Sequence, residues 1–534
     1  MKSRLLLAAT LLAFCSAAEG QEVHRWWVEF TDKAGSPYSI ENPSEYLSPR
    51  ALERRNRLGI AVDSLDLPVN PAYLDALRQT GGTVWTVSRW LNGAVLYTPD
   101  STGISATLGA LPFVADVKYY SHDSIVRESA HEYLDGTPVE PQPFDTLYGP
   151  EYYGLGYSNI DIINGIPLHR AGYKGEGILI GVCDGGFPGM DTLEAFADLR
   201  AEGRLVATRD FVYGGDNVFD VHSHGTRVLS NMATCRPGIY VGTAPKASYA
   251  LCRTEDTFHE SPMEELFWAA AMEFLDSLGV DVTNTSLNYI SFDNPDWNYP
   301  PEALDGQTSY ISRAANVAAT RGILVVVSAG NTGYNPPPNF SVPADSPEAL
   351  VVGAIDENGE RALFSSYGTT ADGRQKPDVM APGKSIWTIL PDGTAMKASG
   401  TSFSSPITAG MAACVIERYP TLGPAAWCDS IRAWGDRATA PHSEYGYGTP
   451  DFGLALGTGP GVGIGETPQP ADDAPILRME LYDATGRCLS VRQSQHSPTL
   501  NSQLSILNSP LPRGVYLLRL ITPNGTRTRK IVKP

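Results

Sequence analysis

The sequence predicts an α/β protein: a mostly parallel sheet with helices on both faces, preceded by a small α+β domain and followed by a small β-sandwich. Three observations carry this. The run Arg321-Gly322-Ile323-Leu324-Val325-Val326-Val327-Ser328 is apolar on both faces, as a strand buried in a parallel sheet must be. The stretches 177–182, 248–252 and 350–354 repeat that pattern with helical segments between them. Ser261-Pro262-Met263-Glu264 is a capping box with proline at the first helical position, starting a helix to about Leu278.

Along the chain, residues 1–20 read as a secretory signal: Lys2 and Arg4, an apolar run from Leu5 to Phe14, then small residues. Ala18-Glu19-Gly20 sets the cut after Gly20, with Ala18 as a second candidate. Cys15 would suit lipid attachment, but Phe14 is too large for the position before it. No other run reaches the ~18 apolar residues of a spanning helix. Residues 21–127 form the α+β domain, with strands at Trp26–Phe30 and Trp90–Tyr97 and helices at Ser48–Leu58 and Asn70–Gln79. A proline- and acid-rich connection, 128–150, is open to proteolysis. The α/β domain takes 151–456, and a glycine- and proline-rich linker, 457–475, follows it. Residues 476–534 carry strands at Leu477–Tyr482 and Val515–Ile521, with a turn at Asp483-Ala484-Thr485-Gly486.

Composition narrows the function. The chain is 534 residues long, enough for about three domains. A net charge of −19 argues against nucleic acid or an anionic membrane as partner, since phosphates would be repelled. Of seven cysteines, Cys183 and Cys252 fall in apolar strands and read as free buried thiols. Cys235, Cys414, Cys428 and Cys488 could pair in an oxidising compartment, and their connectivity is not legible from sequence.

Three short motifs point to chemistry. Val182-Cys183-Asp184-Gly185-Gly186 ends an apolar strand in an acid and two glycines. His224-Gly225-Thr226-Arg227-Val228 opens a helix with a histidine, and Gly400-Thr401-Ser402-Phe403-Ser404-Ser405-Pro406 sets a serine among small residues. Asp, then His, then Ser is one of three unrelated chain orders found in hydrolytic triads. A serine hydroxyl is a weak nucleophile without an adjacent base. An imidazole titrating at about 6.5 suits that task. A carboxylate would orient the ring and stabilise its cation without taking the proton. Asp184, His224 and Ser402 are the candidates. His222 lacks the Gly-Thr-x-Val continuation and reads as a loop residue. Ser328-Ala329-Gly330-Asn331 ends its strand where catalytic groups sit in open α/β sheets.

With Gly242-Thr243-Ala244-Pro245-Lys246-Ala247, Asn284-Thr285-Ser286-Leu287 and Lys376-Pro377-Asp378-Val379-Met380-Ala381-Pro382-Gly383, these motifs resemble those of the subtilases, subtilisin-like serine proteases, over roughly residues 150–457. The resemblance implies a subtilisin-like three-layer fold and peptide hydrolysis through an acyl-enzyme on Ser402. It implies Asn331 as a side-chain oxyanion donor beside the Ser402 N–H. It also implies an extended substrate, with Thr285-Ser286-Leu287 and Ser328-Ala329-Gly330 flanking the pocket for the residue before the scissile bond. Asn288 stands where the family usually has glycine, and a bulkier residue there narrows or re-aims that pocket.

Residues 21–127 resemble the prodomains of secreted bacterial subtilases, which chaperone folding and then inhibit. Residues 476–534, through Leu511-Pro512-Arg513-Gly514-Val515-Tyr516-Leu517-Leu518-Arg519-Leu520, resemble the C-terminal sorting domain of type IX secretion cargo. The implied partners are a protein or peptide substrate, the chain's own prodomain and the outer-membrane secretion machinery, with no nucleic acid. The implied location is outside the cell or on its surface, reached through the periplasm. No cofactor is required. Calcium serves many subtilases, but the corresponding loop, Ala233–Ile239, has no Asn or Asp and carries Arg236. Asp256 and Asp356 are the other carboxylates considered, and no site is identified. The alternative is a catalytically silent subtilase fold used only for binding.

Overall fold

The computed structural model describes residues 23–120, 136–144 and 146–457, with the backbone of four strands between 478 and 533. The expected signal segment, residues 128–135 and 145 of the first linker, 458–475 of the second, and Ala484-Thr485-Gly486 lie outside the described residues.

The N-terminal domain comprises β1 (His24–Phe30), α1 (Pro49–Leu58), α2 (Pro71–Gln79), β2 (Thr83–Ser88), β3 (Gly93–Thr98), α3 (Ile104–Gly109) and β4 (Val114–Tyr119). Its antiparallel sheet has the order β2-β3-β1-β4. Ser48 and Asn70 cap α1 and α2 by accepting the N–H groups of Ala51 and Ala72. Trp90-Leu91-Asn92, expected as strand, instead turns the chain into β3, with Asn92 in the left-handed region (φ 52°) that asparagine tolerates. Alternation along β1 divides its side chains. Trp26, Val28 and Phe30 pack with Leu77 and Leu108, whereas Trp27 joins the central core.

The central sheet has seven strands: β5 (Leu179–Asp184), β6 (Leu205–Asp210), β7 (Ser248–Arg253), β8 (Val282–Thr285), β9 (Leu324–Ser328), β10 (Leu350–Ile355) and β11 (Val379–Pro382). They are all parallel and lie in the order β11-β10-β9-β8-β5-β7-β6. From β5 the chain goes first to the edge strand β6, fills in β7 beside β5, then crosses to build β8 to β11 outward on the other side, so the order reverses at β5. In such sheets a crevice forms at the carboxyl ends where the order reverses.

Helices α4 (His224–Ala233) and α7 (Thr401–Arg418) pack together, α4 against β5 and α7 against β8 to β11. A second helical layer holds α5 (Pro262–Leu278) and α6 (Tyr310–Thr320). Both bonds of the Ser261/Glu264 capping box form at the start of α5, and Gly279 ends it at φ 88°. Helix α5 is buried nearly all round, because the N-terminal domain covers the side that the sheet does not.

Within the stretch expected as an exposed connection, Thr137 pairs with Ala395, and the Gln142 N–H donates to Gly238 O at 2.9 Å. The C-terminal unit is an antiparallel sheet of β12 (Arg478–Asp483), β13 (Cys488–Gln493), β14 (Gly514–Thr522) and β15 (Gly525–Lys533), in the order β13-β12-β14-β15. Four antiparallel strands suit its alternating sequence.

Candidate active site

Asp184 is the last residue of β5, fully buried beside the point where the strand order reverses. Its backbone carbonyl accepts the Thr254 N–H (3.0 Å), and its Oδ1 accepts the Gly185 N–H (2.8 Å). Both carboxylate oxygens face His224 Nδ1, at 2.9 and 3.0 Å. A carboxylate only accepts, so Nδ1 carries a proton, and in the neutral ring the lone pair is then on Nε2. His224 opens α4, which approaches the loop after β5 because its second residue is glycine. A Cβ on Gly225 would stand 2.3 Å from Gly186 O. His222 lies in the preceding loop, where its Nδ1 accepts the His224 N–H at 3.3 Å.

Ser402 is the second residue of α7, within the first turn, whose N–H groups have no partner inside the helix. One of these, on Thr401, donates to Asn331 Oδ1 (2.9 Å), and the Thr401 hydroxyl donates to the same oxygen (3.0 Å). An amide N–H can only donate, so this contact settles which end of the Asn331 side chain is oxygen. Nδ2 is thereby turned toward the open side, 3.7 Å from where a Cβ on Gly400 would lie. Thr401 Oγ1 also accepts the Gly330 N–H (3.1 Å), joining the end of β9 to the start of α7.

The Ser402 hydroxyl donates to Ser286 O at 3.5 Å. The ring of Phe403, the residue after Ser402, lies 5.9 Å from that of His224.

Pro406 stands inside α7 without an N–H to give Ser402 O. The Ser286 hydroxyl donates to that carbonyl instead, at 2.8 Å. Ser286 in turn accepts from Asn284 Nδ2 (3.0 Å), and Asn284 Oδ1 accepts from Ser405 Oγ (2.7 Å). Sequence reasoning assigned no role to Thr401, Asn284 or Ser405. An asparagine inside the buried strand Val282-Thr283-Asn284-Thr285 was the available signal, since buried polar groups need partners.

Thr285 and Ser328 end the neighbouring strands β8 and β9, in register through Thr285 and Val327. Ser286-Leu287 and Ala329-Gly330 continue from these ends on either side of Ser402's position. Asn288 Nδ2 donates to Ser328 O (3.0 Å), and the Ser328 hydroxyl donates to Asn288 Oδ1 (3.1 Å). A cavity of about 270 Å³ is lined by Asp184 and His224 together with His222, Glu255 and Leu287, among others. Glu255 accepts from Tyr289 Oη (2.5 Å) and Thr254 Oγ1 (3.0 Å), and burial pushes its carboxyl up to about 8.

The carboxylates considered for calcium do not present a free donor set. Asp256 pairs with Arg25 (3.4 Å) and His259 (3.1 Å). Asp356 pairs with Lys384 (3.2 Å) and accepts the Asn358 and Glu360 N–H groups. In the loop after α4, Cys235–Arg236 pairs with Tyr240–Val241, and Arg236 contacts Glu194 at 3.0 Å. Cys183, Cys235, Cys252, Cys414 and Cys428 are free thiols.

Residues 175–448 match the model of the subtilase family, and residues 25–133 match that of the peptidase S8 propeptide domain of Bacteroidota. Subtilisin DY of Bacillus licheniformis is 32% identical over 267 residues, spanning 48% of this chain and 85% of the relative. Subtilisin E of Bacillus subtilis (strain 168) is 30% identical over 350 residues, 65% of this chain and 76% of the relative. Among solved structures, MycP1 from Mycobacterium smegmatis aligns with 62% of this chain and 92% of its own, at 23% identity and a TM-score of 0.46.

Proposed function

This chain belongs to the subtilase family, and on that premise we propose that it is a secreted serine endopeptidase, made as a proprotein, that cuts peptide bonds through an acyl-enzyme on Ser402. The observation that carries the reading is the clasp of His224 Nδ1 by both oxygens of buried Asp184, and the reading assigns the other ring nitrogen, Nε2, as the base for Ser402.

In the proposed reaction Ser402 Oγ attacks the scissile carbonyl carbon while His224 Nε2 takes its proton. The Asp184 carboxylate holds the ring and stabilises the imidazolium. The tetrahedral oxyanion is held by Asn331 Nδ2 and the Ser402 N–H, donors fixed before substrate arrives. His224 then gives its proton to the leaving amine, the C–N bond breaks, and water repeats the sequence to free Ser402. No step needs a cofactor. Substrate adds as an extended strand, with Thr285, Ser286 and Leu287 on one side and Ser328, Ala329 and Gly330 on the other.

The propeptide domain acts in this reading as a folding aid and inhibitor that is later cut away. Its docking on α5, where Arg54, Arg55 and Arg89 pair with Asp276, supports that role. Residues 476–534 serve as a type IX sorting domain. The Leu511–Leu520 motif and a four-stranded antiparallel sheet support this part. Passage through the periplasm and delivery by outer-membrane machinery follow from it.

A fluorophosphonate probe and an unfolded protein substrate test the chemistry. Wild type should label on Ser402 and degrade the substrate, while Ser402→Ala should do neither and remain folded. Hydrolysis surviving in Ser402→Ala sinks the assignment. Deleting 476–534 should hold the enzyme in the periplasm, and unchanged export refutes the sorting role.

A further inference from the structure

The gap between the segments that follow β8 and β9 opens beside Ser402. One wall is Ser286-Leu287, tied to Ser402 through the Ser286 hydroxyl at 2.8 Å. The other is Ser328-Ala329-Gly330, tied to α7 through the Gly330 N–H and Thr401 Oγ1 at 3.1 Å. Under the peptidase reading, on which this inference rests, the side chain before the attacked bond enters this gap.

Asn288 crosses it. Both ends of its amide are satisfied by the opposite wall, Nδ2 by Ser328 O and Oδ1 by the Ser328 hydroxyl. Ser328 is fully buried, so moving Asn288 aside would strand its hydroxyl and its carbonyl without these partners. Asn288 Oδ1 also lies only 3.8 Å from where a Cβ on Gly330 would stand. A ring sandwiched between two walls needs about 3.5–4.0 Å of clearance on each side, so none fits between Asn288 and Gly330.

We infer that Asn288 is a specificity-determining residue that floors this pocket and limits the residue before the scissile bond to glycine, alanine or serine. The substrate class is therefore peptides and unfolded proteins offering a small residue on the acyl side. Larger side chains lose more than a methylene's contact, because Asn288 excludes them by volume. A single methylene in a fitted pocket already discriminates by about 10–200-fold.

The test uses the purified full-length protein after its own maturation. Cleavage sites in a denatured protein mixture are mapped by mass spectrometry for wild type, Asn288→Gly and Asn288→Ala. Values of kcat/KM are measured on peptide anilides ending in Ala, Leu or Phe. Wild type should favour Ala over Phe by at least about 10-fold, and Asn288→Gly should shrink that ratio by about 10–200-fold, chiefly by raising the Phe rate. Asn288→Ala should fall between them, and thermal melts verify that both variants fold. Wild type cutting after Phe as readily as after Ala overturns the inference. So does an unchanged ratio in both folded variants. Failure to cut at any site overturns it too, and the fluorophosphonate probe then separates the two claims. Labelling of Ser402 leaves the serine-hydrolase reading standing, and no labelling sinks both.

Discussion

The Ser286 hydroxyl donates at 2.8 Å to the backbone carbonyl of Ser402, the acceptor that Pro406 leaves without a helical partner. A proline in the sixth position of α7 thus frees the carbonyl of Ser402, the proposed nucleophile, to fasten the loop after β8. Ser286→Ala would leave that carbonyl buried and unpaired, at a cost of about 1–3 kcal/mol. It should lower the melting temperature and reduce kcat more than it raises KM. Ser286→Thr keeps a hydroxyl and should recover part of both losses. Thermal melts and peptide kinetics check this, and a silent Ser286→Ala refutes it.

Asn331 does two jobs with two atoms. Oδ1 caps α7 through Thr401, and Nδ2 is the donor proposed for the oxyanion. Asn331→Asp separates the jobs: a carboxylate still accepts from Thr401, and its charge suits a helix N-terminus, but it cannot donate. Folding stability should hold or rise, while kcat falls by about 10²–10³, the magnitude known for the equivalent donor of a subtilisin rather than one obtained from this structure. Asn331→Ala should lose both stability and rate. Equal melting temperatures for the two variants would contradict the division.

The sequence made the main sheet legible because its strands are buried on both faces and read as continuous apolar runs, as β9 and β5 do. The start of α5 was legible because a capping box is a local signal. Strand β4, Val-Ala-Asp-Val-Lys-Tyr, was missed because four of its six residues are exposed and its apolar residues alternate poorly. Trp90 and Leu91 read as strand on propensity, although the turn before β3 buries them against the core through tertiary contacts. Asp184, His224, Ser402 and Asn331 were singled out by motif; the structure sets Asp184 against His224 and Asn331 against Thr401 at the start of α7. Thr401, Asn284 and Ser405 were invisible as a group, since their roles depend on hydrogen bonds between strand and helix ends 70 or more residues apart in the chain.

Asp276 on α5 is held by three arginines of the N-terminal domain: Arg54, Arg55 (2.9 Å) and Arg89 (2.6 Å). Burial alone would raise its carboxyl, but the three guanidinium groups hold it below its ordinary value. Asp276→Asn would leave several buried cations with too little compensation, a change that typically costs about 3–5 kcal/mol. The full-length variant should lose its N-terminal domain to limited proteolysis faster than wild type and melt earlier. Asp281, which pairs with Arg57 (2.7 Å) near the rim, should cost less when changed to asparagine, because solvent reaches Arg57. Equal sensitivity of the two variants would argue against Asp276 as the centre of the docking surface.

Glu265 on α5 is fully buried and accepts from Tyr299 Oη (2.8 Å) and the Ile311 N–H (3.1 Å). Burial pushes its carboxyl up to about 7, with those two donors opposing. In the unfolded chain the same group titrates near 4.5. Between those values the native state holds a proton that the unfolded state has released, so stability from this group falls as pH rises from about 4.5 to about 7 and levels off above. Glu265→Gln keeps the volume and one acceptor but cannot ionise. The stability difference between wild type and Glu265→Gln should therefore shift toward the variant by on the order of 3 kcal/mol between pH 4.5 and pH 8. Melting curves of both proteins at pH 5, 6, 7 and 8 measure it. A difference that stays constant over that range would mean that Glu265 does not change charge there, and that burial is not controlling it.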